Sequence, residues 1–128
     1  AGSRQRVRFL GFLPRQALLE AYHRADVLAI PSLCEEPFGL PVAEGMSCGL
    51  PCVASNAGGI PELIEHQVTG LLVARGDAAD LAAALRRLAR DPGARERFGR
   101  LGRERAQRFL DWSVPAARLE ALYAHALA

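Results

Sequence analysis

Four short apolar runs separated by helix-like stretches constrain this chain more than any other feature. VRFLGFL (7–13), DVLAIPS (26–32), PCVAS (51–55) and GLLVA (70–74) are each closed by a turn-forming or polar residue. Such runs read as strands buried on both faces. Between the first two, Ala17, Leu18, Ala21 and Tyr22 share one face of a helix over 15–24. Residues 38–48 suit a second helix, with Pro37 near its first turn and Gly49 just past its end. After the Gly58-Gly59 loop, Pro61 can start a short helix.

Asp77 offers an N-cap to a helix carrying Leu81, Ala84, Leu85 and Leu88 at helical spacing. The DPG at 91–93 breaks the chain before a helix over 94–110. Residues 111–128 form a terminal segment with a helix from Val114, placing Leu119, Leu122, Tyr123 and Ala126 on one side. Strand–helix alternation with continuous apolar strands predicts an α/β fold, part of a Rossmann-like parallel sheet flanked by helices. Four strands are few for such a sheet, and the chain opens almost at once on a strand. Residues 1–128 are therefore expected to be a single partial domain whose early strands lie elsewhere.

Charge and composition narrow the function classes. No apolar run reaches the roughly 18 residues of a membrane span, and the opening AGSRQRVRFL has no apolar stretch of signal-peptide type. A cytoplasmic location is the expectation. The formal net charge of +2 gives no argument for nucleic acid. All sixteen basic residues are Arg, which excludes a Schiff base or a phosphate-binding lysine in this segment. The arginines between Arg86 and Arg108 read as the solvated face of amphipathic helices, with an anionic membrane or phosphate patch as the alternative. Cys34, Cys48 and Cys52 lack paired metal-ligand spacing and the three His are scattered, so no metal and reduced cysteines are expected.

The candidate site is EEPFGLPVAE (35–44). Ligands of open parallel sheets collect where strands run into helices at their carboxyl ends, and AIPSLCEEPFG is such a loop. The N–H groups of Phe38, Gly39 and Leu40 would lack intrahelical acceptors and favour an anion. Glu36 and Glu44 are eight positions apart; on a continuous helix that is about 12 Å, on a similar face. Carboxylates accept hydrogen bonds from hydroxyl pairs, so two acids flanking an amide-rich entry match hydroxyls, phosphates and hydroxyls in a row. On spacing alone, either Glu can equally be a helix cap or a solvated side chain.

The run PSLCEEPFGLPVAEGMSCGLPCVASNAGGIPELIEHQVTGLLV resembles the carboxyl-terminal domain of the retaining glycosyltransferases of family 4, which have the GT-B fold. Its carriers are a Glu, seven residues, then Glu; the E-G-M-x-C-G-x-P-C-V-A-S continuation; and G-G-x-P-E-x-I followed by T-G-L-L-V. VRFLGFLPRQALLEAYHRADVLAIPS is similar to the preceding family segment, so the likeness covers essentially the whole chain. The resemblance implies that Glu36 lies beside the donor sugar in the catalytic site. It also implies that Phe38, Gly39 and Leu40 give amides to sugar or phosphate, and that Glu44 binds ribose. Leu10, Gly11 and Phe12 would pass the nucleotide base, and Gly58 and Gly59 would shape the neighbouring loop as a structural turn. Gly45 departs from the alanine usual after the second Glu, which should weaken the helix by up to about 1 kcal/mol.

By the same resemblance, the parent enzyme transfers a sugar from a nucleoside-diphosphate sugar to an acceptor hydroxyl with retention, using no other cofactor. The family's acceptor-binding amino-terminal domain and its early basic phosphate-binding stretch have no counterpart in these residues. The isolated segment is thus expected to be inactive and, with an uncovered sheet edge, to self-associate. Membrane association of the parent stays open. Two other classes also stay open: a noncatalytic nucleotide-sugar-binding or regulatory module, and a structural fragment that binds nothing.

Overall fold

A computed structural model describes residues 6–126. Its elements are α1 (Arg15–Arg24), β1 (Leu28–Ile30), α2 (Leu40–Ser47), β2 (Cys52–Ser55), α3 (Ile60–Leu63), β3 (Gly70–Val73), α4 (Ala78–Arg90), α5 (Pro92–Phe109) and α6 (Ser113–Ala126). Residues 1–5 of the opening segment, residues 127–128 of the terminal segment and the side chain of Ala126 lie outside the described residues. Among the described residues, no helix is long and apolar enough to cross a membrane.

The strands form one parallel sheet in the order β1-β2-β3, with Leu28 opposite Cys52 and Cys52 opposite Gly70. Side chains of successive strand residues face opposite sides, and each side has its own core. Cys52 and Ala54 pack with Val42, Met46 and Ile60, while Val53, Leu71 and Val73 pack with Leu88 and Phe98. Burial on both faces is why these strands lack polar alternation. β1 is an edge strand, and its Ala29 is exposed.

Helix signals in the sequence act as expected at most ends. The Asp77 carboxylate accepts from the N–H groups of Ala79 and Asp80 at 2.9 and 3.0 Å. Gly49 takes φ +76° just beyond α2, where a left-handed residue satisfies the last carbonyls. Ala17, Leu18, Ala21 and Tyr22 are all half-buried along α1. Two arginines of the expected solvated cluster serve helix ends instead. Arg95 donates to Leu88 O at 2.6 Å, and Arg105 donates to Leu63 O and Glu62 O at 2.8 and 2.9 Å. Guanidiniums there satisfy the otherwise orphaned carbonyls that end α4 and α3.

Four expectations need correction. VRFLGFL is not a strand: Phe9 and Phe12 are 95 and 94 % exposed, and Gly11 turns the backbone at φ +65°. An apolar run becomes a strand only where a neighbour accepts its backbone ladder, and among the described residues the sheet has three strands rather than four. The second helix starts at Leu40, with Pro41 in its first turn, because Gly39 takes a left-handed φ of +88°. The DPG at 91–93 opens α5 rather than preceding it, since Asp91 caps the helix by accepting from Ala94 N at 2.8 Å. Finally, Gly45 is more than a weak helix residue. A Cβ there would lie 2.3 Å from Leu28 Cδ2 and 3.2 Å from Cys52 Sγ, so its absence lets α2 settle onto β1 and β2.

Candidate functional site

The carboxyl ends of β1 and β2 and the start of α2 meet around residues 35–40. Residues 36–39 are not helical and the chain bends at Pro37 and Phe38, so the separation of Glu36 from Glu44 is not that of one continuous helix. Glu36 stays in the loop before α2, and Glu44 rides on the helix itself.

Two glycines of the neighbouring loop make this loop possible. Gly59 N donates to Glu36 O at 2.7 Å, bonding the second loop to the first. A Cβ on Gly58 would stand 2.1 Å from Glu36 O, and one on Gly59 would stand 2.7 Å from Pro37 O. Both positions therefore shape the turn, as expected of them. Glu35 ties in a third loop: its carboxylate accepts from Gly58 N at 2.6 Å and pairs with the Arg75 guanidinium. That ion pair is solvent-exposed, so its own contribution is at most about 1 kcal/mol.

Each of the two acids accepts a hydrogen bond from a hydroxyl earlier in the chain. Ser32 Oγ, just after β1, donates to Glu36 Oε1 at 2.7 Å. Tyr22 on α1 donates its phenol to Glu44 Oε2 at 2.9 Å. Burial, then the Glu44 bond and charge, push the Tyr22 phenol up to about 12, so it stays protonated and remains a donor. Between the acids, the N–H groups of Phe38, Gly39 and Leu40 find no acceptor among the described residues. The first intrahelical bonds of α2 come only from Val42 and Ala43, both to Gly39 O. Unpaired donors beside a helix start favour an anion.

A cleft of about 930 Å³ opens between α1, α2 and the α5–α6 junction, lined in part by Leu18, Tyr22, Phe38, Leu40, Glu44 and Trp112. The structure thus brings Phe38, Leu40 and Glu44 to one wall, while Glu36 and Gly39 sit in the adjoining loop. Leu10, Gly11 and Phe12 do not line this cleft. Tyr22, Ser32 and Glu35 are the site residues that sequence reasoning passed over. Tyr22 carried a signal, as the one polar tip on an otherwise apolar helix face; Ser32 and Glu35 carried none beyond proximity to Glu36. Cys48 also lines the cleft, and burial followed by the Glu44 charge raises its thiol pKa. Among the described residues, no three His, Cys, Asp or Glu side chains cluster as metal ligands would.

Comparison with known proteins gives this geometry a setting. The family model described as "Glycosyl transferases group 1" matches residues 1–105. A glycogen synthase of Mycobacterium tuberculosis is 40 % identical over 116 residues, covering 91 % of this chain and 28 % of that protein. A D-inositol 3-phosphate glycosyltransferase of Saccharomonospora viridis is 42 % identical over 120 residues, with 91 and 27 % covered. Among solved structures, Anabaena HepE in complex with UDP superposes with a TM-score of 0.88 at 32 % identity, covering 96 % of this chain and 34 % of that one. The chain therefore spans about a quarter to a third of the proteins it matches.

Proposed function

The chain belongs to the group 1 glycosyl transferases, of GT-B fold, and from that footing we propose that it is the donor-binding part of a two-domain enzyme. The whole enzyme would move a sugar from a nucleoside-diphosphate sugar to an acceptor hydroxyl with retained anomeric configuration. The observation that carries this reading is the row of three unpaired N–H groups, Phe38 to Leu40, between two carboxylates already held by hydroxyls. An anion fits the middle, and hydroxyl-bearing groups fit both ends.

In this assignment the diphosphate lies at the α2 entry, the ribose at Glu44 and the transferred sugar at Glu36. As the glycosidic bond breaks, negative charge gathers on the leaving diphosphate. Fixed amides aimed at it stabilise that charge without having to reorganise. Glu36 orients the sugar and tempers the positive charge on its ring. We do not make it a covalent nucleophile; the acceptor attacks from the face the diphosphate leaves, and the leaving group takes up the acceptor proton. HepE was crystallised with UDP and also with UDP-glucose, which makes UDP-sugars the first donors to try.

The remaining assignments follow the same family logic. The exposed Leu10–Phe12 turn is free to meet a nucleotide base. Acceptor binding is left to the amino-terminal domain, and the reaction is placed in the cytoplasm with no further cofactor.

The test is a transfer assay on the full-length protein with a panel of nucleoside-diphosphate sugars and candidate acceptor alcohols. Proton NMR of the product gives the anomeric configuration. Transfer with retention is the expected result. Inversion would overturn the same-face mechanism. Tight donor binding with no transfer to any acceptor would favour a noncatalytic binding module.

A further inference from the structure

Glu44 accepts a hydrogen bond in the cleft from a residue of a different element. Tyr22 projects from α1, twenty-two residues earlier, and its phenol meets Glu44 Oε2 at 2.9 Å. Both side chains line the same cleft. The tyrosine is half-buried, and its neighbours on α1, Leu18 and Leu19, line the cleft beside it. Among the described residues, no other side chain donates a hydrogen bond to Glu44.

We propose that Tyr22 is a positioning residue for nucleotide recognition, fixing the Glu44 carboxylate so that its free oxygen is presented to the ribose hydroxyls. This inference rests on the assignment of Glu44 to ribose. A Glu side chain has three rotatable torsions, of which the terminal one is broad. Gripping one oxygen removes that freedom before the ligand arrives, so less ordering is needed on binding. The donor must be neutral to do this, and the phenol is, because burial and the adjacent carboxylate both oppose its ionisation. Phenylalanine at this position keeps the ring and its packing and removes only the grip.

The test uses the full-length enzyme and calorimetry with UDP and 2′,3′-dideoxy-UDP. The readout is the ratio of the two dissociation constants. Because both are measured on one sample, a partly unfolded variant lowers both active fractions equally and leaves the ratio unchanged. The expected result is that Tyr22→Phe weakens UDP about 5-fold to 10-fold, the cost of ordering one freed side chain on binding. It should leave the dideoxy nucleotide nearly unaffected, so the ratio shrinks by the same factor. A ratio unchanged from wild type would overturn the proposal and leave Tyr22 a packing residue. Glu44→Ala separates the two layers of the argument. If it abolishes the ratio while Tyr22→Phe does not, only the positioning role fails; if it preserves the ratio, the ribose assignment fails with it.

Discussion

Replacing Glu36 by alanine in the full-length enzyme is expected to lower kcat for sugar transfer about 100-fold to 1,000-fold, the range for removing one preorganised polar contact to a transition state. The expectation starts from how the side chain is held. Ser32 grips one carboxylate oxygen, and the Glu36 carbonyl is bonded by Gly59 N, so both its backbone and its tip are fixed before substrate binds. A carboxylate fixed in this way accepts sugar hydroxyls without reorganising. Its negative charge also counts most when the ring becomes cationic. Glutamine in its place keeps an acceptor but not the charge and should fall between the two. Steady-state kinetics with saturating acceptor decide the matter. Full activity in Glu36→Ala would end the sugar assignment, whereas a rise in donor KM with kcat intact would reduce Glu36 to ground-state binding.

The second large effect is structural. Gly58→Ala should destabilise the domain by about 3 kcal/mol, combining left-handed backbone strain with overpacking. Gly58 has φ +54°, and its added Cβ would press on Glu36 O at 2.1 Å and Glu36 N at 2.6 Å. Those are backbone atoms, which cannot rotate away as a side-chain tip would. Any relief has to come from the loop that carries Glu36, so activity should fall with stability. Gly93→Ala is the matched control: its Cβ would meet only Asp91 Oδ1, at 3.5 Å. It lies in the first turn of α5, where alanine is favoured over glycine by up to about 1 kcal/mol. Urea denaturation of both variants measures the contrast. Equal stability of Gly58→Ala and wild type would contradict the close packing of the two loops.

Much of this architecture was legible in the sequence, for identifiable reasons. The β2 and β3 runs are apolar on both faces because helices cover both, and that leaves an unbroken hydrophobic signature. Asp77 and Gly49 announce helix ends through chemistry that is local to a few residues. VRFLGFL misled because composition reports what a segment would bury, and not whether a neighbouring strand is there to pair with it. The start of α2 was misplaced because a Pro-Phe-Gly sequence does not show which residue turns left-handed. The answer lies in Gly58 and Gly59, some twenty residues later, whose missing side chains admit the loop.

The site divides in the same way. Glu36, Glu44 and the amides between them stand out as candidates because they lie within one short segment. What holds them could not. The Tyr22–Glu44 and Glu35–Arg75 pairs join residues twenty-two and forty positions apart, and only the fold brings them together. Gly45 shows the converse case, where a local propensity argument gave a cost but missed the close approach of α2 to Leu28 that the glycine permits.

Donor recognition as proposed has Glu44 meeting ribose while Phe38 to Leu40 meet phosphate. Calorimetric titration of full-length wild type and Glu44→Ala with UDP and 2′,3′-dideoxy-UDP tests this most directly. Wild type should prefer UDP by about 10-fold to 100-fold, as expected for hydroxyls bonded to a charged group. Glu44→Ala should bind the two nucleotides alike, at the weaker affinity. A variant that still prefers UDP as strongly as wild type would contradict the assignment.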